Sequence, residues 1–247
     1  MSTQTKTTEN HSNKAVIARE ERPKQSPNAK HEGTKVGLPT VASAKVGNGL
    51  DLAWCISFLE KRGKELYGQN FKIIEQDFEI IHKLLVYFIG DNTEAAKYNL
   101  DLEKGILLTG PIGCGKTSLM NLMRFVPSPE RNHIMKSCRD VSFEFMQEGY
   151  EVIWRYSRMS FNSERPRTYC FDDLGAEQSL KYYGNECNVM GEILLSRYEY
   201  FVSHNMITHV TTNLSASEIE NVYGNRVRSR LKEMFNLISC IGKDKRG

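Results

Sequence analysis

The 247-residue chain is 40% hydrophobic and 10% aromatic, enough to pack one sizeable α/β domain or two small ones, which excludes disorder throughout. No apolar run approaches the ~18 residues that span a bilayer, and Met1–Asn13 is polar and lacks the apolar core of a secretory signal. A soluble, cytoplasmic protein with no membrane partner is therefore expected. The formal net charge of +3 is unevenly spread, because residues 1–45 hold eight Lys/Arg against four Asp/Glu and the remaining body sums to −1.

Residues 1–45 contain no aromatic side chain and many Thr, Lys, Asn, Ser and Pro, a composition that cannot bury enough surface to offset its ordering entropy. They read as a disordered basic tail, with weak phosphate-backbone contact as the sharper alternative. Residues 46–100 read as a helical segment leading into the core. Leu50–Leu66 and Ile74–Phe88 have helical spacing, with Ile74, Phe78, Ile81, Leu84, Leu85 and Phe88 on one buried face. Gly90-Asp91-Asn92 ends that pattern.

From residue 101 to 247, short apolar runs alternate with helical stretches. Gly105–Gly110, His133–Cys138, Thr168–Asp172, Met206–Asn213 and Phe235–Cys240 read as strands. Such alternation predicts an α/β three-layer sandwich around a mostly parallel five-stranded sheet. The six cysteines form no C-x-x-C pair and do not cluster with histidine, so reduced, structural thiols are expected rather than a zinc site or a disulfide framework.

Gly110-Pro111-Ile112-Gly113-Cys114-Gly115-Lys116-Thr117 matches G-x-x-x-x-G-K-[ST], with an apolar strand before it and a helical run from Ser118 after it. The glycines let consecutive N–H groups face a phosphate chain, and the helix N-terminus adds partial positive charge. Lys116 reaches the β- and γ-phosphates in such a loop, and the Thr117 hydroxyl ligates Mg²⁺. ATP and Mg²⁺ are thus the expected ligands, held by Gly110 through Ser118.

About fifty residues on, Phe171-Asp172-Asp173-Leu174-Gly175 ends a strand. Asp172 suits the metal-side carboxylate and Asp173 the group that polarises attacking water. Asn213 closes the next apolar strand, where it reaches a γ-phosphate or merely starts a turn. Ser215-Ala216-Ser217-Glu218 follows as a capping box, with Leu214 and Ile219 placed for a hydrophobic staple. Beyond the break at Gly224, Val227, Leu231 and Met234 form an apolar stripe flanked by Arg226 and Arg230. Those arginines read as a phosphate-bridging pair or as a solvated basic face.

These motifs, in this order, resemble the AAA+ ATPases of the DnaC/IstB group, replicative-helicase loaders and transposition helper ATPases. The resemblance runs from about Phe71 onward. Its most specific parts are Asp172-Asp173-Leu174-Gly175-Ala176-Glu177, Ser196-Arg197-Tyr198, Thr211-Thr212-Asn213-Leu214-Ser215 and the run Tyr223–Leu231. It implies a P-loop AAA+ fold without a separate lid and an ATP-hydrolysing protein that self-assembles and acts on DNA. Single-stranded DNA is implied over duplex, and the partner is a replicative helicase or, by analogy, a transposase.

The same resemblance makes Asn213 the first sensor, Arg230 the arginine finger reaching a neighbouring subunit's nucleotide, Arg226 its helper and Arg246 the second sensor. Lys136, Arg139 and the basic tail are the candidate DNA contacts. Many AAA+ proteins carry Asp-Glu where this chain has Asp172-Asp173, and Glu177 is too remote to substitute. Slow hydrolysis, or a nucleotide-switched adaptor with little hydrolysis, is accordingly an alternative, as is an IstB-like transposition helper. A small-molecule kinase needs a lid with arginines and an acceptor pocket, and neither signature is present.

Overall fold

Several of the helices begin where a side chain satisfies an otherwise orphaned N–H. Asp51 accepts from the Trp54 N–H at 3.0 Å to start α1 (Leu52–Tyr67). In this computed structural model the described residues are 45–46, 49–126, 131–177, 180–182, 185–242 and 244–245. Residues 1–44 of the expected tail, and Arg246, lie outside them. A 3-10 turn, Glu75–Asp77, leads into α2 (Phe78–Ile89), and Asp91 caps the short α3 (Asn92–Lys97).

The α/β alternation follows: β1 (Gly105–Thr109), α4 (Lys116–Met123), β2 (Ile134–Ser137), α5 (Cys138–Glu148), α6 (Tyr150–Tyr156) and β3 (Tyr169–Leu174). It is completed by α7 (Val189–His204), β4 (Thr208–Thr212), α8 (Ala216–Met234) and β5 (Phe235–Ser239). All five expected strands are present within one or two residues of their sequence limits.

Ile74 departs from expectation. It lies ahead of α2 in extended conformation and is 41% exposed, while Ile73 turns inward and donates its N–H to the Glu60 carboxylate at 3.1 Å. That tether holds residues 73–74 extended, so the helix begins four residues later than the periodicity suggests.

The sheet order is β5-β1-β4-β3-β2, and every neighbouring pair is parallel. Side chains alternate between two cores, as the period of a strand requires. Ile106 and Leu108 pack with Leu59, Leu84, Phe88 and Met120 of α1, α2 and α4. Leu107, Phe171 and Val210 pack with Phe145, Ile193, Val227 and Leu231 of the helices opposite. This is the three-layer α/β sandwich around a parallel five-stranded sheet that the alternation of strands and helices predicts. All described residues from 45 onward fall in one compact unit, Pro39–Gly247.

Three buried polar side chains tie the layers. Arg197 of α7, fully buried, has no carboxylate partner among the described residues. It donates instead to Thr208 Oγ1 at 2.7 Å and to the carbonyls of Tyr156, Arg167 and Ile207 at 2.8–3.0 Å. His209 of β4 accepts the Ile106 N–H on Nδ1 at 3.0 Å, and His133 Nε2 donates to Met120 O at 3.1 Å. Burial holds both rings neutral, with the His133 pKa lowered to about 4. The six cysteines are free thiols, five of them buried. Among the described residues no helix is long and apolar enough to cross a membrane.

Candidate nucleotide site

The loop between β1 and α4 curls because its glycines take backbone angles closed to other residues. Gly113 and Gly115 have φ of +79° and +97°, and Gly115 sits at the N-cap of α4. A Cβ on Gly113 would also collide with the Asp244 carboxylate. Lys116, buried at the first turn, donates to Gly110 O at 2.8 Å and Pro111 O at 2.9 Å. Its ammonium is thus held inside its own loop by acceptors it can exchange for phosphate oxygens. Cys114 is buried beneath, whereas Ile112 is exposed.

The acidic pair approaches from β3, two strands away. Thr117 Oγ1 donates to Asp172 Oδ2 at 3.0 Å, so the hydroxyl and carboxylate expected to share a cation do converge. Thr211, part of a motif in the sequence but with no role assigned to it there, completes the junction. Its Oγ1 donates to Asp172 Oδ1 at 2.6 Å and accepts the Asp173 N–H at 2.9 Å. Burial raises the Asp172 pKa, opposed by the hydrogen bonds from Thr211 and Thr117.

The β4–β3 register slips here, from Val210 opposite Phe171 to Thr212 opposite Leu174. The extra residue makes a bulge, and Asp173 takes φ +60°, a left-handed conformation that Asp tolerates better than most residues. The bulge lets two successive carboxylates serve one site, with Asp172 turned to Thr117 and Asp173 exposed. Glu177 is held elsewhere, accepting from Gly175 N–H at 2.9 Å and from the Tyr223 hydroxyl.

A cavity of about 810 Å³ lies over these groups. Gly113, Gly115, Lys116, Thr117 and Ser118 line it together with Asp173 and Asn213. Its far wall was not legible in the sequence: Tyr67, Phe71, Ile73 and Ile74 from the segment before α2, and Lys245 from beyond β5. Lys245 Nζ stands 2.6 Å from both oxygens of buried Asp77, and its N–H donates to Gly113 O at 3.1 Å. No local periodicity signals a bond between residues so far apart in the chain.

Arg230 does not line this cavity. It lies on α8 against Tyr198 of α7 and pairs with Glu233 at 3.1 Å. Arg228 pairs with Glu220 at 2.6 Å, and Arg226 is exposed. Of the candidate DNA contacts, Lys136 is directed into an ion pair with Glu144 at 3.2 Å, and Arg139 lies over the Phe143 ring. The capping box is present, with Ser215 Oγ accepting the Glu218 N–H and Glu218 accepting the Ser215 N–H.

The donor set fits a hard, oxygen-seeking cation. Thr117 and Asp172 converge, and no group of three or more His, Cys, Asp or Glu side chains forms an all-protein cage among the described residues. Mg²⁺ commonly sits in such a site through one or two protein oxygens plus substrate phosphates.

No protein-family model matches the chain. Over 77 residues it is 32% identical to the Fe(3+) ions import ATP-binding protein FbpC of Photobacterium profundum, a stretch covering 30% of this chain and 22% of that protein. The chain thus spans about a fifth of the length of this curated relative.

Among solved structures it is similar to a primosome component from Streptococcus pyogenes serotype M3, at 17% identity and a TM-score of 0.49, covering 70% of this chain and 84% of that one. It is also similar to the DnaC helicase loader, at 19% identity and a TM-score of 0.48, covering 68% of this chain and 92% of that one. The resemblance to the AAA+ ATPases of the DnaC/IstB group rests on the motifs of the chain itself. The chemistry of its site rests on its own residues.

Proposed function

We propose that this protein is a Mg²⁺-dependent ATPase of the AAA+ DnaC/IstB type. In this reading it assembles with copies of itself in the cytoplasm and acts on DNA, single-stranded over duplex, alongside a replicative helicase. The observation that carries the nucleotide reading is the convergence of the Lys116 loop, the Thr117–Asp172 pair, Asp173 and Asn213 around one cavity. The loop N–H groups and Lys116 bind the phosphate chain. Thr117 and Asp172 would hold Mg²⁺, which supplies charge neutralisation on the phosphates.

Asp173 then orients water toward the γ-phosphate, and Asn213 hydrogen-bonds that phosphate. Arg230 lies outside its own cavity, which suits a guanidinium acting on a neighbouring subunit's nucleotide. Arg246 would serve as the second sensor. The DNA and helicase roles are supported by the motif constellation alone.

A phosphate-release assay on the full chain, with and without single-stranded DNA, tests this reading. Release that requires Mg²⁺ and responds to DNA is expected. Tight ATP binding without release would establish the adaptor reading, for which the short arm of Asp173 is the motivating feature.

A further inference from the structure

Ser196-Arg197-Tyr198 is specific to the resemblance, yet none of its residues lines the nucleotide cavity. Arg197 is accounted for as the buried strut that fixes α7 against β4. Tyr198, one residue on, reaches the surface at Arg230. Arg230 Cζ stands 4.3 Å from the centre of the Tyr198 ring. The Tyr198 hydroxyl donates to Glu233 Oε2 at 2.6 Å, and Glu233 Oε1 accepts from Arg230 NH1 at 3.1 Å. Each member of this triangle therefore touches the other two.

We infer that Tyr198 and Glu233 are positioning residues that hold the Arg230 guanidinium in a defined orientation at a subunit interface. The inference rests on the proposed trans-acting role of Arg230. An exposed arginine samples many rotamers, and ordering it on encounter costs entropy that a preformed support removes. The triangle uses a ring face and NH1, one of the donor atoms of a group with five N–H bonds, so the guanidinium keeps a fork for phosphate oxygens.

Glu233, like the Arg228 partner Glu220, lies on α8 itself, but Tyr198 adds a support from a second helix that Arg228 lacks among the described residues. The stretch of α7 beneath the ring is pinned by Arg197, so Tyr198 is a fixed platform. The Arg230 and Glu233 side chains are 37% and 49% exposed, and pairs this open contribute little to folding. A role in orientation therefore explains the arrangement better than one in stability.

The test mixes two inactive forms of the full chain. Lys116→Ala subunits lack their own site but donate Arg230, whereas Arg230→Ala subunits keep the site but lack the finger. Phosphate release should reappear in the mixture. Adding Tyr198→Leu to the Lys116→Ala donor should lower the recovered rate about five- to tenfold with KM unchanged. Tyr198→Phe, which keeps the ring, should lower it less.

Placing Tyr198→Leu on the Arg230→Ala acceptor should change nothing, an asymmetry that a folding defect would not produce. Thermal midpoints of the single variants should match wild type. No recovery in the parent mixture overturns the trans reading and this proposal with it. Full recovery with the Tyr198→Leu donor overturns the positioning role alone. A donor that rescues better than its parent would show that the triangle withholds the arginine, and would overturn it too.

Discussion

Burial holds the Asp172 carboxyl above its ordinary range although Thr117 and Thr211 both donate to it. The unfolded chain releases this proton at the usual carboxylate pKa and the folded chain only at higher pH. Stability is therefore greatest below the unfolded value and declines as pH rises through the folded one. At neutral pH the ionised group costs folding energy that a bound cation would recover. Asp172→Asn should accordingly raise the melting temperature of the nucleotide-free protein while abolishing phosphate release. Calorimetry at pH 7.5 checks this, and an unchanged or lower midpoint would show that the hydrogen bonds outweigh burial. The residues legible in advance, Lys116, Thr117, Asp172 and Asp173, sit in contiguous motifs whose chemistry is local. The role of Thr211 and the Asp77–Lys245 pair were not legible, because both exist only once distant segments meet.

At the level of elements, the strands were readable from apolar runs and the helices from their period, since each must bury one face. Ile74 broke the pattern because a tertiary hydrogen bond, Ile73 to Glu60, fixes an extended segment that the period alone assigns to helix. The bulge that turns Asp173 outward has no local signature either, since two adjacent Asp residues at a strand end imply only a turn. The junction of α4, β2 and β4 carries a further consequence. Neutral His133 and His209 lie with ring centroids 5.1 Å apart, and His133 Nδ1 and His209 Nε2 have no hydrogen-bond partner among the described residues. Below the unfolded histidine pKa of 6.5 the unfolded chain takes up protons that these buried rings refuse until about pH 4 for His133. Stability should thus fall between those values, by roughly 2 kcal/mol at pH 5 from His133 alone. Urea unfolding at pH 7.5 and 5 should show that drop, and His133→Gln should shrink it. Equal drops in the two proteins would assign the acid sensitivity to other groups.

Across the whole molecule, the net charge said less than its placement. A near-neutral body holds a site built from a few charged groups, and the strand order β5-β1-β4-β3-β2 brings them together. That order was not readable from the strands themselves, which specify faces but not neighbours. It sets β4 between β1 and β3, so that the Lys116 loop, Asn213 and the acidic pair open on the same edge of the sheet. In the function proposed above, this edge binds the phosphates of ATP through Lys116. Titration of a fluorescent ATP analogue into the full chain with Mg²⁺ tests it most directly. Lys116→Ala should weaken binding at least tenfold, roughly the worth of one charge-assisted phosphate contact. Wild-type affinity in Lys116→Ala would contradict the assignment of the site.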